Sequence, residues 1–420
     1  MSRTTPKPPC VYCGDTPVNH VVQFIDSSLE VCFGMITPKP KAHGFRFWQI
    51  HSSPTVKFLG RVCMDFLMYI QLIRASNDID LALTKRTRVV WEEAVRRGIQ
   101  MEQLIVLGKV IEQSRAHLPT KYAGEKFRFH YFQSIPVPPF RAESSSTWVD
   151  DKDVFKSIFQ KEHLAVARGV CVITLQGALR AFSKINGPVI VKPRSGSRAR
   201  HTSVNIVGRE DFIEAYKRAR QLCLYVMIEE YVPGDTYRAL CVGQKVVGII
   251  AFKKARVLGD GISTCDELLL RYNEKLDKEK VSPVKRDSWY FDALMHAGFS
   301  PKQIPLLGFP LLLAEHSERS NGGYNVDITD LVPQHTKEEI ERASRVCEIE
   351  VIGFDIISED LTNPDERFTF IEGNSLPYIE IHHDPTYGPA RDVAGVIWDM
   401  WFPQNIGVLK KELKTNEQSQ

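Results

Sequence analysis

Two apolar runs, each with an acid set inside it, constrain this chain more than any other stretch. They are Gly353-Phe354-Asp355-Ile356-Ile357-Ser358 and Arg367-Phe368-Thr369-Phe370-Ile371-Glu372-Gly373-Asn374. β-branched and aromatic residues dominate both, and the polar, Pro-containing segment 359–366 separates them, which predicts two strands joined by a loop. A carboxylate inside such a run is costly to bury alone and needs a cation or a hydrogen-bonding partner. Glu372 and Asn374 are two apart on a strand and share a face. With Asp355 they offer three oxygen ligands for a hard divalent ion such as Mg²⁺, which takes few carboxylates plus water and phosphate. The competing reading is an ordinary hairpin whose acids face water. This stretch alone leaves both open.

A chain of 420 residues exceeds a typical single core, so two or three packed units are expected. The 54 Lys and Arg against 51 Asp and Glu leave a net charge of +3, too small to support a nucleic-acid partner or a membrane-surface role. Residues 1–9 lack the apolar run of a signal peptide. The longest apolar stretch, near Val62 to Ile73, is broken by Asp65 and Gln71 and is too short to span a bilayer. Nine scattered cysteines, an odd number, fit reduced thiols in a cytosol better than a disulfide framework. A cytoplasmic protein is expected.

Residues 1–85 form a segment of uncertain structure, with helix-like apolar spacing over Val56–Leu72. Cys10-Val11-Tyr12-Cys13-Gly14 is a CxxC knuckle, followed by His20 and Cys32. A structural zinc needs four ligands, usually from two such pairs. With one clean pair, idle or buried thiols are the expected reading of Cys10 and Cys13, and zinc is the lesser alternative.

Residues 86–149 read as a small α/β unit. A helix from Arg88 is stopped by Gly98, a strand runs over Gln103–Gly108, another starts at Tyr131, and a Ser-rich linker spans Ala142–Val149. Residues 150–405 form the main body. Asp150-Asp151-Lys152 opens a helix, and Ala178–Lys184 is a second. The strand Pro188–Pro193 ends on Lys192, loop 194–202 follows, and then come a strand to Val207 and an amphipathic helix 209–222. A strand Tyr225–Val232 precedes a hairpin, Thr236–Val242 with Lys245–Phe252, whose Gly243-Gln244 turn predicts type II′. Helices begin near Cys265 and Lys337, a last one covers about 389–401, and residues 406–420 are a flexible tail.

Neither GxxxxGK[ST] nor GxGxxG after a strand occurs, so P-loop and Rossmann readings have no foothold. Gly259-Asp260-Gly261 reads as a turn before a helix. Lys192 beside a Gly/Ser loop can place an ammonium and backbone N–H groups on phosphate oxygens. Glu229-Glu230-Tyr231-Val232-Pro233 leaves backbone groups free at its proline, suited to the edge of an adenine ring. Arg238, Lys253, Lys254 and Arg256, on or beside the hairpin, could face a transferring phosphate. Each piece is bland by itself.

In this order the pieces resemble the ATP-grasp superfamily, from about residue 150 to 403. The matching text is Asp151-Lys152, Val191-Lys192-Pro193, Glu229-Glu230-Tyr231-Val232, Tyr237-Arg238, Gly259-Asp260-Gly261, Asp327-Ile328-Thr329-Asp330, Gly353-x-Asp355, Ile371-Glu372-Gly373-Asn374 and Gly388-Pro389-Ala390-Arg391. It is closest to the ligases typified by the ATP-grasp parts of cyanophycin synthetase and the bifunctional glutathione synthetases. The resemblance implies an α+β fold of two subdomains clasping ATP, with a smaller N-terminal α/β unit.

Carried over by position, Lys152 and Lys192 bind ATP phosphates under a loop containing Ser195, Gly196 and Ser197. Glu229 takes the adenine amino group, Glu230, Tyr231 and Val232 line the ring edge, and Asp235 stands near the ribose. Asp355, Glu372 and Asn374 hold Mg²⁺, with Mn²⁺ as a substitute. Arg238, Lys253 and Arg256 stabilise the departing phosphate. The implied activity is an ATP-dependent ligase that joins a small carboxylate to an amine, such as an amino acid or peptide, through an acyl phosphate. Relatives often pair, which allows a homo-oligomer. The alternatives are a phosphotransferase that stops at the acyl phosphate, and an ATP-binding regulatory or scaffold protein without turnover.

Some positions depart from the pattern. The phosphate loop has one glycine, Gly196, amid Arg198, Arg200 and His201, whose cations are expected to replace backbone amides. The acid expected two places before Arg238 is Thr236, with Asp235 one place earlier. Lys253-Lys254-Ala255 stands where relatives have a basic residue and Pro-Ala. His382 and His383 read equally as substrate contacts or packing, and Arg391 reads as a contact to a substrate carboxylate, with a structural salt bridge as the alternative.

Overall fold

The computed structural model describes residues 10–13, 18–36, 66–118, 128–137, 147–195, 200–314 and 319–402. The chain divides into two compact units. The first comprises Met1–Leu67, Ser146–Pro233 and Thr369–Gly373, and the second Met68–Ser145, Gly234–Phe368 and Asn374–Gln420.

The first unit carries an antiparallel sheet in the order Gly169–Val172, Val226–Glu230, Val189–Pro193, Ser203–Ile206. Val189, Val191, Val226 and Ile228 are buried against Ala178 of helix Leu175–Phe182 and against Phe212, Ala215 and Ala219 of helix Arg209–Arg220. Phe182 stacks on Phe212 with ring centroids 4.3 Å apart. Helix Lys152–Lys161 starts where the sequence predicts, with the Asp151 carboxylate accepting from the N–H groups of Asp153 and Val154. Its Phe155 and Phe159 are fully buried, each worth about 1.5–3 kcal/mol of transfer free energy. Phe370 meets Phe159 edge-on at 5.2 Å, and its N–H donates to the Ala165 carbonyl at 2.8 Å. A helix over His20–Ile36, not assigned from the sequence, packs Val31 against Cys223 and Tyr225.

In the second unit, helix Lys85–Arg96 is capped by the Thr84 hydroxyl and followed by Gly98 at φ +70°, the left-handed stop expected there. Beside it lies an antiparallel sheet of Ile73–Ser76, Gln100–Val106, Lys109–Leu118 and Arg128–Phe132. The strand expected from Tyr131 onward therefore ends almost where it was read to begin. A second antiparallel run orders Tyr324–Asp327, Lys245–Lys253, Asp235–Val242 and Val351–Ser358. Trp91, Leu240, Val242, Val351 and Trp398 share one core.

The hairpin turn is not type II′. Gly243 (φ +57°) and Gln244 (φ +65°) are both left-handed, as type I′ requires, because that turn matches the twist of the two strands. The last helix is shorter than expected, Val393–Asp399, because Asp392 caps it from outside by accepting from Gly395 N–H. Strand Thr369–Asn374 crosses the division, with 369–373 in the first unit and Asn374 in the second. Most of the predicted helix over Val56–Leu72, the linker at 142–146 and the tail lie outside the described residues. Among the described residues no helix is long and apolar enough to cross a membrane.

Candidate functional site

In the first unit the predicted residues gather on a buried ion cluster. Lys192, the penultimate residue of its strand, places Nζ 3.0 Å from Glu229 Oε2, and Lys156 Nζ lies 3.3 Å from the same oxygen. Lys156 also donates to the Ala167 carbonyl at 3.0 Å. The Glu229 side chain is fully buried. Burial penalises its charge, but the two lysines outweigh that and lower its pKa. The Lys156 pKa is lowered as well. Burial opposes its charge, Glu229 pulls the other way, and Lys192 adds repulsion. One carboxylate facing two ammoniums leaves an excess of buried positive charge, which an anion such as phosphate would offset.

Lys156 was missed from the sequence. Its signal was the spacing of four from Lys152, which puts both lysines on one helix face. Lys152 Nζ lies 3.6 Å from Glu372 Oε2, so an expected phosphate ligand and an expected metal ligand meet within this unit. The Glu229 carboxylate, expected at an adenine amino group, faces Lys192 and Lys156. The Glu230 carboxylate accepts from Arg168 N–H and Nε, both at 2.8 Å. The N–H groups of Glu230 and Tyr231 donate to Arg168 O and Pro188 O, each at 2.9 Å. Tyr231 and Val232 are half-buried.

Arg194 anchors the start of the phosphate loop. Its Nη2 and Nε reach Asp151 Oδ2 and Oδ1 at 2.8 and 3.1 Å, tying the loop to the helix start before Lys152. Ser195 follows, half-buried, whereas Gly196, Ser197 and Arg198 lie outside the described residues. His201 corrects the sequence reading. It is 1% exposed, and its Nδ1 lies 2.9 Å from the Arg218 carbonyl, so burial removes it from the role of a phosphate-facing cation.

In the second unit, Asp355 and Arg238 are register partners on neighbouring antiparallel strands. Arg238 Nε and Nη2 donate to Asp355 Oδ1 and Oδ2 at 2.5 and 3.1 Å. Asp235 forms a separate group, with Lys253 Nζ at 2.7 Å and Arg256 Nη2 at 3.6 Å. Partial burial works against the Lys253 charge, but Asp235 outweighs it and raises the pKa, so this lysine stays charged. Asn374 Nδ2 donates to the Gly353 carbonyl at 3.5 Å, which sets its amide beside the Asp355 strand. The Asp355 carboxylate and the Asn374 amide offer hard oxygen donors, the chemistry Mg²⁺ prefers over softer metals.

Arg391 does not present itself to a substrate. Its Nη2 donates to Asp327 Oδ1 at 2.8 Å and to Asp330 Oδ2 at 2.7 Å, because the fully buried Asp327 side chain needs a cation of its own. His383 Nε2 accepts from Ala394 N–H at 3.0 Å and caps a helix. His382 is fully buried, and among the described residues neither ring nitrogen has a hydrogen-bond partner. Burial, with Arg238 next in weight, pushes its pKa down to about 3. A cavity of about 630 Å³ opens in this unit, lined by Lys85, Arg88, Phe252, Arg319, Asn325 and Glu380 among others. Three cations and two acids, Glu380 and Asp384, share its lining, with Arg319 Nη1 3.1 Å from Asp384 Oδ2, and nothing in the local sequence joined them.

No family model matches the chain. It is 29% identical over 332 residues to cyanophycin synthetase of a Nostoc species, which covers 77% of this chain and 36% of the relative. It is 26% identical over 336 residues to the glutathione biosynthesis bifunctional protein GshAB of Clostridium perfringens, covering 77% and 41% respectively. The chain thus spans well under half the length of these curated relatives. Among solved structures, a bifunctional glutathione synthetase from Pasteurella multocida superposes with a TM-score of 0.50 at 22% identity, covering 76% of this chain and 44% of that one. The fold is the α+β ATP-grasp fold.

Proposed function

We propose that this chain is an ATP- and Mg²⁺-dependent ligase joining a small carboxylate to an amine through an acyl phosphate. The pairing of Arg238 with Asp355 carries the reading. It sets opposite each other, on adjacent strands, the cation read here as phosphate-stabilising and the acid read here as a metal ligand. The likeness to cyanophycin synthetase and GshAB supports the same class.

In this reading Lys152, Lys156 and Lys192 receive ATP phosphates, with Ser195, Gly196 and Ser197 in the covering loop. The backbone of Glu230–Val232 takes the adenine edge, the buried Glu229 carboxylate holds Lys192 and Lys156 in place, and Asp235 stands toward the ribose. Asp355, Glu372 and Asn374 hold Mg²⁺ or Mn²⁺, which neutralises phosphate charge when bound. Arg238, Lys253 and Arg256 counter the charge that builds as a substrate carboxylate oxygen attacks the γ-phosphorus and the bond to ADP breaks. The amine nitrogen then attacks the acyl carbon, phosphate leaves, and the ammonium proton passes to solvent. The chain's contribution is positioning and charge neutralisation, so no side-chain nucleophile is needed. The mixed-charge cavity near Lys85 is the seat of the acid substrate, an amino acid or short peptide that carries both charges itself. The protein is cytoplasmic in this reading, and sedimentation of the purified chain tests whether it forms a homo-oligomer.

The test is release of ADP and phosphate with Mg²⁺ against pooled amino acids and short peptides. Amine-dependent phosphate release with a new amide in the product supports the ligase. ATP binding with no phosphate release for any acid and amine pair supports a nucleotide-binding scaffold instead. Phosphate transfer without an amide product supports a phosphotransferase.

A further inference from the structure

Outside the proposed nucleotide residues, four soft and borderline ligands converge in the first unit. We infer that Cys10, Cys13, His20 and His201 form a structural zinc site that fastens the N-terminal segment to the end of the phosphate loop. Their ligand atoms all lie within 4.8 Å of one another. Cys10 Sγ is 3.5 Å from His201 Nε2, Cys13 Sγ is 3.6 Å from the same atom, and Cys13 Sγ is 3.3 Å from His20 Nε2. Zinc bonds of about 2.0–2.3 Å in a tetrahedron separate neighbouring ligand atoms by about 3.3–3.8 Å. The three contacts fall in that span.

The surroundings orient the ligands. A 3-10 turn over Val11–Cys13, with Cys13 N–H donating to Cys10 O at 3.1 Å, brings both sulfurs to one side. His201 N–H donates to Tyr12 O at 3.1 Å, which docks the knuckle on the body of the unit. The His201 Nδ1 contact with the Arg218 carbonyl fixes the proton on Nδ1, because a carbonyl can only accept. Nε2 is then a bare lone pair aimed at the thiols, the arrangement in which a second contact sets the tautomer of a metal-binding histidine. Arg218 in turn covers Tyr12, with Cζ 3.8 Å from the ring centroid. Cys13 and His201 are buried and Cys10 and His20 half-buried, and four protein ligands would fill a tetrahedron, which marks a structural centre over a catalytic one. Two thiols and two imidazoles select zinc over Mg²⁺. On binding, both thiols release their protons to solvent, and two thiolates neutralise the ion.

His201 ends the loop that Arg194 begins, so the metal holds the far end of the segment expected to cover phosphate. The site does not rest on the ligase reading, since it needs no nucleotide.

The experiment is metal analysis of the full chain purified without chelator, followed by Co²⁺ exchange. About one zinc per chain is expected, and the Co²⁺ form should show tetrahedral visible bands with a thiolate-to-metal band. Cys13→Ser and His201→Ala should each lower zinc content at least about tenfold, while Cys32→Ser should retain it. Should those variants fail to fold, alkylation of the native chain decides. Zinc should protect Cys10 and Cys13 while Cys32 reacts, and chelator should remove that protection. Zinc-free protein that takes up neither Zn²⁺ nor Co²⁺, or a Cys10–Cys13 disulfide in the reduced purified chain, overturns the assignment.

Discussion

Arg238 and Asp355 hold each other across neighbouring strands through two N–H···O contacts of 2.5 and 3.1 Å. The carboxylate that would ligate Mg²⁺ is thereby held in one orientation before any metal arrives. Asp355→Asn should lower Mg²⁺-dependent ADP formation about 10²–10³-fold, the usual effect of removing one preorganised electrostatic contact. ADP formation at the parent rate in this variant would remove Asp355 from the metal set.

Among the described residues Glu229 is the carboxylate in ion-pair range of both Lys192 and Lys156. Glu229→Gln leaves buried ammoniums unmatched and should cost about 3–5 kcal/mol in denaturant titration, with Lys156→Met costing less because Lys192 keeps its partner. The acid limb has a definite sign. The folded pKa of Glu229 lies below its ordinary 4.5, so its contribution is present above pH 4.5 and lost as pH falls through the lower folded value. Equal costs for the two variants would mean that Lys156 is needed as much as the acid.

His382 titrates in the same direction for a different reason. Its pKa of about 3 lies below the ordinary 6.5, so the unfolded chain binds the proton first and stability declines from about pH 6.5 toward 3. His382→Leu should flatten that part of the pH–stability curve. The imidazole packs against Gly248, where an added Cβ would approach Nδ1 to 2.5 Å. Gly248→Ala should destabilise by about 1–3 kcal/mol. A second change, His382→Ala, should recover part of that loss, and strict additivity of the pair would separate the two residues.

Lys85 is an exposed lining residue of the mixed-charge cavity. If the cavity seats the acid substrate, Lys85→Ala should raise KM for the acid about three- to tenfold with kcat unchanged, the signature of lost uniform binding. A kcat decrease at constant KM would instead connect Lys85 to the chemistry.

The sequence carried the backbone of this fold further than it carried the ionic partners. Val189–Pro193 and Val351–Ser358 are legible because their apolar runs demand burial on both faces. Asp151 and Gly98 mark helix ends through backbone chemistry that acts locally. The type I′ turn escaped because Gly243 alone satisfies a type II′ pattern, and only the φ of Gln244 separates the two. Arg391 was read toward a substrate because spacing does not reveal that Asp327 is buried beside it. The Cys10–Cys13 knuckle reads as incomplete because His201, whose Nε2 lies beside both sulfurs, is 191 and 188 positions away. Long-range partners of this kind leave no periodic trace.

The first unit closes around residues delivered at very different times during synthesis. Phe155 and Phe159 leave the ribosome early, whereas Phe370, which seals them, arrives only after most of the second unit has been made. Until then the aromatic patch on helix Lys152–Lys161 stays partly uncovered, and such transient exposure favours association with other chains. A stop codon anywhere before Thr369 would thus remove far more than a tail, since it would deprive the upstream unit of the strand that completes it.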